Sequence, residues 1–192
     1  RVTTDYILFG GIGSDTVKYE EIAESVLMNL NNGGASVFHV ESSDSFNSIE
    51  AVIGEKNQDF IKFKGTDSSS VFQSVLGGAV EDKFLANGSA PYSATLDGGS
   101  SNDDCVFTMV PASPFHIGGF TTFKNKLVFA HVNFNGDAND YGALDAGTFV
   151  SGVGAVALDS DDFLIFDTTT NTFSYDADGN GAGLSIASRS MK

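Results

Sequence analysis

Glycine placement constrains this chain more than any other feature. Short runs rich in β-branched and aromatic residues are cut repeatedly by Gly, Asn, Asp and Ser clusters. The runs include Asp5 to Phe9, Thr16 to Tyr19, Val26 to Leu30, Ser36 to Val40 and Phe60 to Lys64. They continue with Val106 to Val110, Lys126 to Phe134, Phe149 to Val150, Phe163 to Phe166 and Thr172 to Tyr175. Short strands closed by turn residues are the pattern of an all-β protein. Two stretches compete with it. Tyr19 to Leu30 holds good helix formers, and Val71 to Leu85 places Val71, Phe72, Val75 and Leu76 at helical spacing. The Gly77-Gly78 pair interrupts the second, which limits the expected helix to two turns.

Charge narrows the partners. Eighteen Asp and seven Glu face ten Lys and Arg, for a formal net charge of -15. Nucleic acid and anionic membrane both call for basic patches, so neither is an expected partner. No apolar run reaches the ~18 residues of a membrane span, so membrane insertion is not expected. No Glu follows Glu81, and the excess is carried by Asp, whose short side chain closes turns and coordinates cations from loops. A halophilic or highly soluble surface would give the same balance. Arg1 leads straight into strand-like sequence, as expected of an excised fragment. Cys105 is the only cysteine, which rules out an intrachain disulfide and leaves metal as the alternative staple. Its run, Cys-Val-Phe-Thr-Met-Val, reads as a buried strand holding an inert thiol.

Gly10-Gly11-Ile12-Gly13-Ser14-Asp15-Thr16-Val17-Lys18 fits the nonapeptide Gly-Gly-x-Gly-x-Asp-x-apolar-x position by position. Its glycines permit tight turns with carbonyls directed inward, and the aspartate supplies a carboxylate. The segment resembles the calcium-binding repeats of the repeats-in-toxin (hemolysin-type) family, which is exported by type I secretion. Asp5 to Phe9 looks like the tail of a preceding repeat with one residue more than the regular spacing. Downstream, Val26 to Leu30, Ser48 to Gly54 and Asn57-Gln58-Asp59-Phe60-Ile61 follow the family's longer unit in order. The resemblance therefore implies a strand at Val26 to Leu30 despite its helix propensity.

A second segment, Gly142 to Gly183, resembles the terminal region of such secreted proteins. It contains Asp161-Asp162-Phe163-Leu164-Ile165-Phe166-Asp167 and Phe173-Ser174-Tyr175-Asp176-Ala177-Asp178-Gly179-Asn180-Gly181. Phe163 to Phe166 and Thr172 to Tyr175 flank a turn and form a plausible hairpin. From Asp159 to Asp178 there are six Asp and no Lys or Arg. Asp176-x-Asp178-x-Asn180-Gly181 has the opening of an EF-hand loop, but Ala187 stands where the closing Glu belongs. Any ion held here takes its other ligands from elsewhere, and an acidic β-turn is the alternative.

No zinc-protease helix, nucleophile elbow or phosphate-binding loop occurs, so no enzyme is expected within these residues. His39, His116 and His131 are far apart in sequence and fit ordinary strand positions better than a metal trio. The expected architecture is all-β. A calcium-binding parallel β-roll or β-solenoid occupies residues 1–65, and an irregular, β-sandwich-like region with a terminal Asp/Gly-rich segment occupies 66–192. The expected cofactor is Ca²⁺. The implied metal ligands are Gly11, Gly13, Asp15 and Asp59, with Asp176, Asp178 and Asn180 as a separate site. The expected role is an extracellular structural protein of a surface layer, adhesin or filament, partnered by itself or by other cell-surface components. A carboxyl-terminal secretion and folding domain of an exported protease or lipase is the alternative. Carbohydrate binding through the aromatic-rich middle is a third alternative.

Overall fold

The computed structural model describes residues 6–19, 25–31, 34–39, 42–64, 74–86, 95–110, 115–118, 124–130, 133–134, 147–179 and 184–189. Among these the structure is all-β, without a helix. The first strands are β1 (Ile7–Phe9), β2 (Thr16–Lys18), β3 (Leu27–Asn31), β4 (Gly34–His39) and β5 (Ser42–Asn47). The middle holds β6 (Ala51–Glu55), β7 (Phe60–Lys64), β8 (Ser74–Gly78), β9 (Lys83–Ala86), β10 (Thr95–Gly99) and β11 (Asp104–Phe107). Then come β12 (Phe115–Gly118), β13 (Lys126–Phe129), β14 (Phe149–Gly152), β15 (Leu164–Asp167), β16 (Thr172–Tyr175) and β17 (Leu184–Arg189).

The strands form two sheets. One has the order β1-β5-β4-β3-β7-β9-β11-β13, the other β14-β15-β16-β17-β12-β10-β8-β6-β2. From β6 to β13 the chain alternates between the sheets, and each strand pairs in parallel with the next one on its own sheet. Side chains consequently stack in register. On one sheet Val17, Val52, Val75, Leu96 and Ile117 are successive partners. On the other the succession is Met28, Ile61, Phe84, Cys105 and Leu127. Alternate residues face inward, as strand geometry requires, so Val52, Val75, Phe84 and Ile61 lose all contact with solvent. Each such apolar side chain contributes about 1.5–3 kcal/mol by burial.

Over its described residues, 74–85, the stretch Val71 to Leu85 is not helical. Where it is described it forms β8 and β9, and Val75 and Gly77 face inward with period two. Gly77 and Gly78 also remove helix propensity at the point where a second turn would close. The strand at Val26 to Leu30 holds as β3, shifted by one residue to Leu27–Asn31. The pairs β6–β8 and β7–β9 join strands on either side of residue 65 on both sheets, and the described strands β8 to β13 belong to the same two sheets.

The last strands close one end of the stack. β15 and β16 form an antiparallel hairpin, with Asn171 at a positive φ of 55° in its turn. β16 continues antiparallel onto β17, which pairs in parallel with β12. Phe129 of β13 stacks on Phe107 at 5.5 Å and meets Phe134 edge-on at 5.2 Å. Phe134 in turn meets Tyr175 of β16 edge-on at 5.0 Å. This aromatic chain ties the end of one sheet to the hairpin of the other. The opposite end is formed by the edge strands β1 and β2, where Ile7, Phe9 and Ile12 are exposed.

Candidate functional site

The Gly10–Asp15 loop leads from β1 into β2. Gly11 and Gly13 have φ of 95° and 131°, values that disfavour any side chain, and open space surrounds their Cα atoms. The neighbouring loop before β6 packs on this turn. Gly10 N–H donates to the Asn47 carbonyl at 3.0 Å, and the Asp15 carbonyl accepts from Glu50 N–H at 3.1 Å and Ala51 N–H at 3.0 Å. A carboxylate of that loop, Glu50 Oε2, accepts from Asp15 N–H at 2.9 Å. Asp15 Oδ2 is buried and has no hydrogen-bond partner. The Glu50 carboxylate thus lies at the turn that carries the Asp15 carboxylate, and paired carboxylates suit a hard cation that takes oxygen ligands.

Asp59 lies elsewhere. It precedes β7, on the turn that leads into the other sheet, and is 2 % exposed. Val26 N–H donates to its Oδ1 at 2.9 Å. The same bond recurs down the stack: Asp59 N–H donates to Asp82 Oδ1 at 2.7 Å, and Asp82 N–H donates to Asp103 Oδ1 at 3.0 Å. Asn125 Nδ2 donates to Asp103 Oδ2 at 3.0 Å, which continues the column. The carboxyls of Asp59, Asp82 and Asp103 stand against Gly54, Gly77 and Gly98, where any added Cβ would collide with the Oδ2 atom. Burial pushes Asp59 up to about 6, against the lowering effect of Val26 N–H. Burial likewise pushes Asp82 up to about 7, opposed by Asp59 N–H and helped by the charges of Asp59 and Asp103. Asp103 is also raised, first by burial. Asp59 therefore belongs to an internal hydrogen-bonded column, apart from Asp15.

Asp176 and Asp178 sit together beyond β16, and Asp178 N–H donates to Asp176 Oδ1 at 3.3 Å. Asn180 lies outside the described residues. Gly179, at φ 70°, presses its Cα against the Ser160 backbone, which brings this turn beside Asp159 and Asp161. Asp161 is raised by a hydrogen bond to Asp159 and by its charge. Like charges this close disfavour ionisation of Asp161, and a cation between the two side chains would relieve the repulsion. Asp162 instead caps its own turn, where its Oδ2 accepts from Leu158 N–H at 2.7 Å and Asp159 N–H at 3.1 Å. Asp167 is likewise occupied, by Gly154 N–H at 2.9 Å, Thr169 N–H at 2.8 Å and Thr170 Oγ1 at 2.9 Å.

Among the described residues, no three His, Cys, Asp or Glu side chains converge on a metal-sized point. A cation at either acidic turn would need backbone carbonyls or further residues to complete its ligand set, and oxygen-only ligation of that kind is characteristic of calcium rather than zinc. Cys105 is buried, and its thiol is pushed up to about 12 by burial and by Asp103 and Asp104. His116 stands in β12, while His131 lies outside the described residues. Sequence reading missed Asp82 and Asp103. The signal was a Gly-x₄-Asp spacing at 10/15, 54/59, 77/82 and 98/103.

No protein-family model matches the chain, and no curated protein is significantly similar to it. Among the described residues no helix is long and apolar enough to cross a membrane.

Proposed function

We propose that the chain is an extracellular, calcium-binding structural unit with a β-solenoid architecture, folding and assembling when calcium binds. The observation that carries this reading is Asp15 Oδ2, a buried carboxylate oxygen without a partner beside Glu50 in a glycine turn. Asp15 and Glu50, with the carbonyls of Gly11 and Gly13, would hold one ion. Asp159, Asp161, Asp176 and Asp178 would hold another. Asp59 is left out, because its carboxyl is committed to the column.

The net charge of -15 gives calcium its leverage. Without a counterion, the crowded Asp side chains repel one another and loosen the chain. Where calcium is abundant, binding energy becomes folding energy. The stacked parallel pairing supports the solenoid reading, since each strand pair buries its inner face only against its neighbours. The exposed edge at β1 and β2, with Ile7, Phe9 and Ile12 uncovered, supports assembly through strand addition.

A calcium titration followed by circular dichroism and light scattering tests the proposal, with magnesium as control. A calcium-specific gain of β structure with growth in scattering is expected. Folding without growth in scattering would favour the secretion-domain alternative. A chain equally folded in chelator would overturn the folding role.

A further inference from the structure

Asp59, Asp82 and Asp103 are the most deeply buried acids described, at 2 %, 3 % and 1 % exposure. One oxygen of each accepts a backbone N–H from the preceding level, so the column staples four successive levels from Val26 to Asp103. The second oxygen of Asp82 is buried and has no partner. It lies against the Gly77 Cα, in the space that a side chain at residue 77 would need. A carboxylate in this position leaves charge on an unsolvated oxygen, whereas a carboxyl leaves only an unpaired polar group, which costs less. The next member of the column is an amide, Asn125, which is neutral at every pH. The titratable groups that act on the column are its own members, with Asp97 and Asp104 beside Asp103. These are all acids, so each ionisation makes the next harder; the nearest cations, Lys83 and Lys126, are the exposed register partners of Asp104.

We propose that the Asp59–Asp82–Asp103 column works as a proton-held clamp, closed while its carboxyls are neutral and weakened as they ionise. The clamp is a property of the stack interior and does not depend on calcium at the surface turns. Its direction follows from linkage. The folded-state values of Asp59 and Asp82, about 6 and about 7, lie above the unfolded value of 3.8. The contribution is complete below the unfolded value and is lost as pH rises through the folded ones. A protein with this column is held most firmly in mildly acid surroundings and eases toward neutral pH. Ordinary carboxylate pairs act in the opposite sense.

The test is thermal unfolding of the whole chain between about pH 5 and about pH 8 in excess calcium. Excess calcium holds the surface turns in one state of loading across this window, so a failed calcium proposal shows separately in the titration at fixed pH. The wild-type midpoint is expected to fall as pH rises. Asp82→Asn, which keeps the Oδ1 acceptor and removes the charge, is expected to flatten the decline and raise the midpoint at pH 8. Asp103→Asn is expected to act in the same direction. A wild-type midpoint that is flat or rises with pH overturns the clamp, as does an unchanged slope in Asp82→Asn. An Asp82→Asn chain that fails to fold at any pH also overturns it, because a neutral column would then be insufficient.

Discussion

Asp82 and Gly77 are five residues apart and share one space: Asp82 Oδ2 stands where a Cβ on Gly77 would have to be. Gly77→Ala is therefore expected to cost about 1–3 kcal/mol, the usual penalty of overpacking. Gly54→Ala and Gly98→Ala should behave alike, since each faces its own Asp. Gly152→Ala, with nothing within 4 Å of the added carbon, should stay within ~0.5 kcal/mol of wild type. Urea unfolding of the four variants decides the matter, and equal losses at all four would refute the interlock.

Asp59 offers a cleaner separation of acceptor from charge. Val26 N–H is buried and donates to Asp59 Oδ1. Asp59→Ala orphans that donor, at a cost of about 1–3 kcal/mol, whereas Asp59→Asn keeps an acceptor in place. The alanine variant should be the less stable of the two by this margin when both are unfolded in denaturant at acid pH. Equal stability would mean that the hydrogen bond contributes nothing.

The strands at Phe60, Val106, Lys126, Phe163 and Thr172 were legible because each concentrates β-branched or aromatic residues between turn formers. β8 and β10 were not, because Ser-Val-Leu-Gly-Gly and Thr-Leu-Asp-Gly-Gly each devote two positions to glycine and carry little apolar periodicity. Gly77 and Gly98 are dictated by the facing Asp, a reason that exists only once the chain is folded, while Gly78 and Gly99 take positive φ of 131° and 90°. Asp15 was recognisable from its nonapeptide. Asp59 is implied as a ligand by the closing turn of the resembled longer unit, yet the chain delivers it to the turn leading into the other sheet, where its carboxyl accepts from Val26 N–H. Local spacing carries no record of which sheet a turn enters.

Two classes of Asp should separate by carboxyl NMR. Asp82, buried with one oxygen unpartnered, is expected to titrate near pH 7. Asp167 is held below the usual carboxylate range by Thr169 N–H, Thr170 Oγ1 and Gly154 N–H. The hydrogen bonds of Asp167 support the hairpin above the unfolded value and are lost as pH falls through its folded value. The column loses its support in the opposite direction. Coincident titrations of Asp82 and Asp167 would contradict both assignments.

Cys105 should be chemically silent in the folded chain. It is buried, paired in register with Phe84 and Leu127, and its thiol is pushed up to about 12. The thiolate is the reactive form, so a thiol reagent at mildly alkaline pH should label the native protein far more slowly than the denatured one. Labelling at the denatured rate would place Cys105 outside the core.

The calcium proposal makes a residue-specific claim at Asp15. Its Oδ2 lacks a hydrogen-bond partner, while both oxygens of Asp167 are already taken by three donors. Removing a ligand charge weakens a calcium site, so Asp15→Asn should raise the calcium midpoint roughly tenfold. Asp167→Asn removes the same charge from the chain as a whole and should leave the midpoint near its wild-type value. Isothermal titration of both variants distinguishes a local ligand from a general field. Equal shifts in the two would mean that calcium responds only to net charge, and that Asp15 holds no ion of its own.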